Sequence, residues 1–103
     1  MGEPMRIRAQ LAGSGALVRV LMAHEMETGL RKEPDGRTIA AGHIVKVVAL
    51  LDDKPVMSAD WGPGISRNPY LQFTIRGARA GDKVTITWHD NRGDSRTDHA
   101  IVA

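Results

Sequence analysis

With 103 residues, 42% of them hydrophobic and 25% charged, the chain has the composition of an ordinary globular protein and the length of one domain, 1–103, able to bury roughly 65% of its unfolded surface. Fourteen basic residues nearly balance twelve acidic ones, for a formal charge of +2, and Arg6, Arg8, Arg19, Arg31, Lys32 and Arg67 are spread along the chain without stacking aromatics between them, so no nucleic-acid partner is expected. Cysteine is absent, which excludes a disulfide framework, a thiolate metal site and a cysteine nucleophile in this chain, and no run approaches the ~20 apolar residues of a membrane span.

Residues 5–11 alternate Met5, Ile7, Ala9 and Leu11 against Arg6, Arg8 and Gln10, the period-2 pattern of an outer strand with one polar face. Residues 12–15 turn it. Residues 16–23 are apolar on both faces and predict a more central strand. From 24 to 42 the alternation breaks; Pro34-Asp35-Gly36 is a turn signature, so this longest loop is expected to form a short hairpin-like excursion. Residues 43–51 form the most apolar run and predict a buried strand. Residues 52–55 turn it into a strand at 56–60, and a second long loop follows at 61–69. Residues 70–76 alternate with Leu71, Phe73 and Ile75 inward, 77–82 turn, and 84–102 form a β-hairpin whose tip, Asp90-Asn91-Arg92-Gly93-Asp94, supplies turn residues and a glycine free to take positive φ. Seven antiparallel strands without a helix predict an all-β chain with an immunoglobulin-like β-sandwich, a small barrel being the alternative.

Few positions carry chemistry of their own. Met22-x-His24-x-Met26 places thioether and imidazole groups at a strand end, a set that suits copper. The preferred reading is that Met22 is core, His24 opens a loop and Met26 anchors it, since nothing completes a coordination shell, and no cofactor is expected. Asp90 and Asp94 read as turn residues that accept backbone hydrogen bonds, and Arg92-Gly93-Asp94, although it matches an adhesion tripeptide, reads as the hairpin tip. Aromatic residues are only 4% of the chain. Trp88 falls on the buried face of its strand, whereas Trp61 and Tyr70 flank the second loop and either pin it to the sandwich edge or contact a partner.

Taken together, His-Glu-Met-Glu-Thr-Gly at 24–29 with Arg31-Lys32, Trp-Gly-Pro at 61–63, Asn-Pro-Tyr at 68–70, and Ala-Gly-Asp-Lys-Val-Thr-Ile-Thr-Trp at 80–88 running into the hairpin tip resemble the SoxZ family, the small subunit of the SoxYZ sulfur carrier, over residues 6–101. The resemblance implies a non-catalytic subunit that forms a heterodimer with a Y subunit. The Y subunit's C-terminal Gly-Gly-Cys-Gly-Gly arm would carry covalently bound sulfur between the enzymes of thiosulfate oxidation, with transient contacts to those enzymes. It also implies a periplasmic location reached with the partner, since residues 1–4 lack the pattern of a signal peptide. The expected partner interface is an apolar sheet face, carried by residues 16–22 or 44–51, with Trp61, Tyr70, Met22, His24 and Met26 as candidate contacts. The rival expectation is a stand-alone copper-handling or adhesion module.

Overall fold

The computed structural model describes residues 2–103. Seven strands build it: β1 (Arg6–Ala12), β2 (Gly15–Leu21), β3 (Ile44–Leu51), β4 (Lys54–Asp60), β5 (Tyr70–Arg76), β6 (Lys83–Asp90) and β7 (Ser95–Ile101). They form a three-stranded sheet in the order β1-β2-β5 and a four-stranded sheet in the order β4-β3-β6-β7, with every pairing antiparallel. The hairpins β1-β2, β3-β4 and β6-β7 stay within a sheet, and the connections β2-β3, β4-β5 and β5-β6 cross between sheets. This is the immunoglobulin-like sandwich that the alternation predicts.

The core lies where the inward residues of the two sheets meet. Val18 and Val20 of β2, Ile44, Val47 and Ala49 of β3, and Val84, Ile86 and Trp88 of β6 are almost wholly buried. They belong to the central strands, and Ile7, Leu71, Phe73, Met57 and Trp61 lean on them from the flanking strands and the second loop. The central position predicted for residues 16–23 and 43–51 is therefore found, because only a strand with neighbours on both sides can satisfy its backbone while burying so many apolar side chains.

One boundary differs. Pro55, expected in a turn, lies inside β4, opposite Leu50, at a register shift between Ala49 and Leu50 that leaves Val56 as the extra residue. β4 is an edge strand, where one side of the backbone needs no ladder bond and a proline is tolerated, and the bulge absorbs the irregularity.

The 24–42 segment is the predicted hairpin-like excursion, held by isolated antiparallel bridges between Glu27 and Gly42 and between Lys32 and Thr38. Strands of seven or eight residues span only ~25 Å, so the long loops at one end account for much of a molecule measuring 53 × 20 × 20 Å.

Candidate partner interface

The loop end of the sandwich is organised around His24. Its Nδ1 accepts a hydrogen bond from the Met26 amide at 3.0 Å; the ring proton therefore sits on Nε2, which donates to Asp90 Oδ2 at 3.1 Å. The ring stands edge-on to Trp88, centroids 4.9 Å apart and planes at 87°, an arrangement favoured by the aromatic quadrupole. The other Asp90 oxygen accepts the amides of Arg92 and Asp94, each at 2.9 Å, and Asp94 Oδ1 accepts the Ser95 amide at 2.9 Å. Asp90 and Asp94 thus do the turn work expected of them, and Gly93 has the positive φ, 85°, that the tip requires. The Arg92 guanidinium folds back onto the carbonyls of Ala40 and Ala41, at 2.6 and 3.0 Å, so Arg92-Gly93-Asp94 ties the excursion to the hairpin.

A buried carboxylate secures the same loop. Glu27, 5% exposed, accepts hydrogen bonds on both carboxylate oxygens from Nε and Nη2 of Arg31, and this hydrogen bonding keeps its carboxyl below the usual carboxylate range although burial pushes the other way. Its backbone exchanges two hydrogen bonds with Gly42. A cavity of ≈ 500 Å³ opens beside this network, lined among others by His24, Glu27, Arg67, Trp88, Asp90 and Arg92. Its two buried acids and its histidine are already engaged with protein groups, which makes it the structural junction of two long loops and one hairpin.

The five candidate contacts divide. Met22 is 1% exposed and Met26 4%, and the Met26 sulfur accepts the Ile44 amide at 3.3 Å. Both are core in this conformation and offer nothing to an approaching surface; the reading of Met22 as core and Met26 as a loop anchor describes their positions. His24 bridges the junction with both ring nitrogens hydrogen-bonded, the Met26 sulfur is taken by the Ile44 amide, and among the described residues no cluster of three or more histidine or acidic groups could hold a metal ion. Trp61 is half-buried, its amide donating to the Val45 carbonyl at 2.9 Å, which carries the β3-β4 pairing past the strand end. Tyr70 is 57% exposed and its hydroxyl donates to Gln72 at 2.9 Å.

The sandwich presents two outer faces of different character. On the four-stranded sheet the register sets Ser58, Val48, Thr87 and Thr97 in one row, and Pro55, Leu50, Thr85 and His99 in the next. Val48 and Leu50 are half-buried there without belonging to the core, and Thr87 and Thr97 share a hydroxyl hydrogen bond of 2.8 Å. The centre of this face carries no formal charge; Lys46 and Asp60, which pair with one another at 3.8 Å, and Lys83, opposite Ile101, stand on its margins. On the three-stranded sheet the rows read Arg6-Leu21-Tyr70, Arg8-Arg19-Gln72 and Gln10-Leu17-Thr74. Sequence reading missed this clustering, because the residues that meet come from three strands and no linear run announces them. Of the six basic residues read as spread out, three, Arg6, Arg8 and Arg19, are neighbours.

The chain is thus a small antiparallel sandwich whose loops are tied inward and whose sheet faces stand open. The family model for Sulphur oxidation protein SoxZ matches residues 5–100, and the chain belongs to that family. It is accordingly a subunit of a sulfur-oxidising Sox system, in a family of non-catalytic subunits that implies a complex with SoxY. No curated protein matches the chain significantly.

Proposed function

We propose that this chain forms the non-catalytic half of a SoxYZ sulfur carrier and meets its Y subunit through the outer face of β4-β3-β6-β7. The observation that carries the reading is the uncharged centre of that face, where Val48 and Leu50 are flanked by Thr85, Thr87 and Thr97. Covering such a face removes apolar area from water without stranding a charge. The rival face of residues 16–22 is less suitable, since Arg19 stands at the centre of its sheet and would have to be desolvated.

The division of labour follows from composition. This chain has no cysteine, so the thiolate that accepts sulfur has to come from the partner, on its Gly-Gly-Cys-Gly-Gly arm. A flexible arm reaches an active site at high effective concentration only while its carrier is docked nearby, and the sandwich supplies part of that docking body, in the periplasm, alongside the Y subunit. Co-expression with the Y subunit followed by native mass spectrometry tests the pairing. A one-to-one heterodimer is expected, with alkylation of the partner's cysteine abolishing sulfur loading while leaving this chain unmodified. Separate monomers at micromolar concentration, or sulfur loading that survives complete alkylation, would refute it.

A further inference from the structure

The outer face of β1-β2-β5 consists of alternate residues of three strands: Arg6, Arg8, Gln10 and Ala12; Gly15, Leu17, Arg19 and Leu21; Tyr70, Gln72, Thr74 and Arg76. Four of these are arginines and none is acidic. The four contribute +4 to a chain whose formal charge is +2, so the rest of the molecule is net acidic and the positive charge is concentrated on one side. All four are exposed, and among the described residues none of them makes an ion pair.

Two features make this more than a solvated polar face. Arg8 lies directly opposite Arg19 in the β1-β2 ladder, and like charges at facing positions oppose strand pairing. The fold therefore retains an electrostatic cost that a neutral or paired residue would remove. The second is shape: Arg6, Arg8, Arg19, Leu21 and Tyr70 surround a dent of ≈ 260 Å³, with Leu21 42% and Tyr70 57% exposed. Guanidinium groups around an exposed leucine and tyrosine reproduce the composition of an interface anchor site, in which Arg and Tyr are enriched and a ring of polar groups surrounds an apolar seat.

We propose that this face docks a protein partner whose own surface is acidic, with carboxylates around one projecting apolar side chain. Resting on the carrier reading above, the partner is one of the enzymes that load or unload the arm. Charge complementarity selects the occupant: carboxylates relieve the repulsion between Arg8 and Arg19 and the dent receives the apolar group. Because this sheet is on the opposite side of the sandwich from β4-β3-β6-β7, the Y subunit and an enzyme can be bound together. Long-range attraction of this kind acts mainly on the association rate and weakens with salt, which suits a carrier that must visit several enzymes and leave each one.

The test measures binding of each purified enzyme of the sulfur-oxidising system to this chain, alone and assembled with the Y subunit, by surface plasmon resonance at about 50 mM and about 500 mM salt. Wild type is compared with Arg8→Glu and Arg8→Lys. Arg8→Glu turns the facing like-charge pair into an opposite-charge pair, so it is expected to raise the thermal midpoint while weakening enzyme binding about tenfold or more at low salt, chiefly through the association rate. Arg8→Lys is expected to keep most of the affinity, and all three proteins are expected to converge at high salt. Opposite signs for stability and binding separate a docking role from a structural one. The proposal is overturned if no enzyme binds wild type, if Arg8→Glu binds as well as wild type, if Arg8→Glu loses the Y subunit, or if a short DNA duplex binds as tightly with the same charge dependence. Failure of the carrier reading shows separately, as a wild-type chain that does not assemble with the Y subunit, and the docking face is then decided on the chain alone.

Discussion

Replacing Trp88 probes the sandwich at its most concentrated point. Its side chain is 1% exposed, faces Val47 across the β3-β6 ladder and carries the edge contact from His24. Trp88→Ala removes the largest fully buried side chain from a core with few aromatics to refill the space, and is expected to cost ~3–5 kcal/mol. A domain of this size is stable by only ~5–15 kcal/mol, and each kcal/mol is worth ~4–8 °C, so the thermal midpoint should fall by roughly 12–40 °C. Trp88→Phe behaves differently. The indole Nε1 is buried without a hydrogen-bond partner among the described residues, and deleting such a donor recovers ~1–3 kcal/mol. That offsets the ~1–2 kcal/mol lost with the second ring, leaving Trp88→Phe within about 1 kcal/mol of wild type. Urea denaturation followed by far-ultraviolet circular dichroism is the suitable assay, since Trp fluorescence changes with the substitution itself. If Trp88→Phe destabilises as much as Trp88→Ala, the indole N–H is being satisfied and the packing argument fails.

Gly15 opens β2 opposite Arg76, and a Cβ there would stand 2.1 Å from the Ile75 carbonyl oxygen and 3.0 Å from the Arg76 Cα; Gly15→Ala is expected to cost about 2–3 kcal/mol in chemical denaturation, as overpacking against backbone does, and a neutral result would mean that β2 and β5 are not paired there. The Asp98 carboxyl is held below its usual range by the side-chain hydrogen bonds of Arg96, with the Met5 amide helping and burial opposing. Its folded pKa is depressed, so its contribution is present above about pH 4 and is lost as pH falls through the depressed value. Asp98→Asn should therefore cost about 1 kcal/mol at neutral pH and progressively less in acid, and a pH-independent difference between variant and wild type would contradict the linkage.

Strand alternation carried most of the fold because a side chain's inward or outward direction is a local property of period two. Val18 and Val20, Leu71 and Ile75, and Val84, Ile86 and Trp88 all fall on the side their spacing indicates. Glycine roles were less legible. Gly13, with φ of 59°, makes the β1-β2 turn, whereas Gly15 is demanded by the close approach of β5, a strand more than fifty residues later. The same limit applies to the faces. Arg6, Arg8 and Arg19 become neighbours only through the register of β1 and β2, and the neutral face emerges only when β3 is placed between β4 and β6. Loop contacts were harder still: Met26 reads as a loop anchor by sequence, but not what it anchors to, which is set by a left-handed backbone at φ 53° and the hydrogen bond from the Ile44 amide to its sulfur. The cross-strand and cross-loop partners that decide these cases are set by topology, which local patterning does not encode.

The central claim is that the Y subunit covers the uncharged face of β4-β3-β6-β7, and calorimetric titration of the Y subunit into Thr87→Arg tests it most directly. Thr87 lies between Val48 and Thr97 at the middle of that face, where a guanidinium would be buried without a partner on assembly, at a cost of ~2 kcal/mol or more. Wild type and Arg8→Glu are predicted to bind with one-to-one stoichiometry and equal affinity, and Thr87→Arg at least about thirtyfold more weakly, while circular dichroism shows all three folded. Undiminished binding by Thr87→Arg would contradict the account.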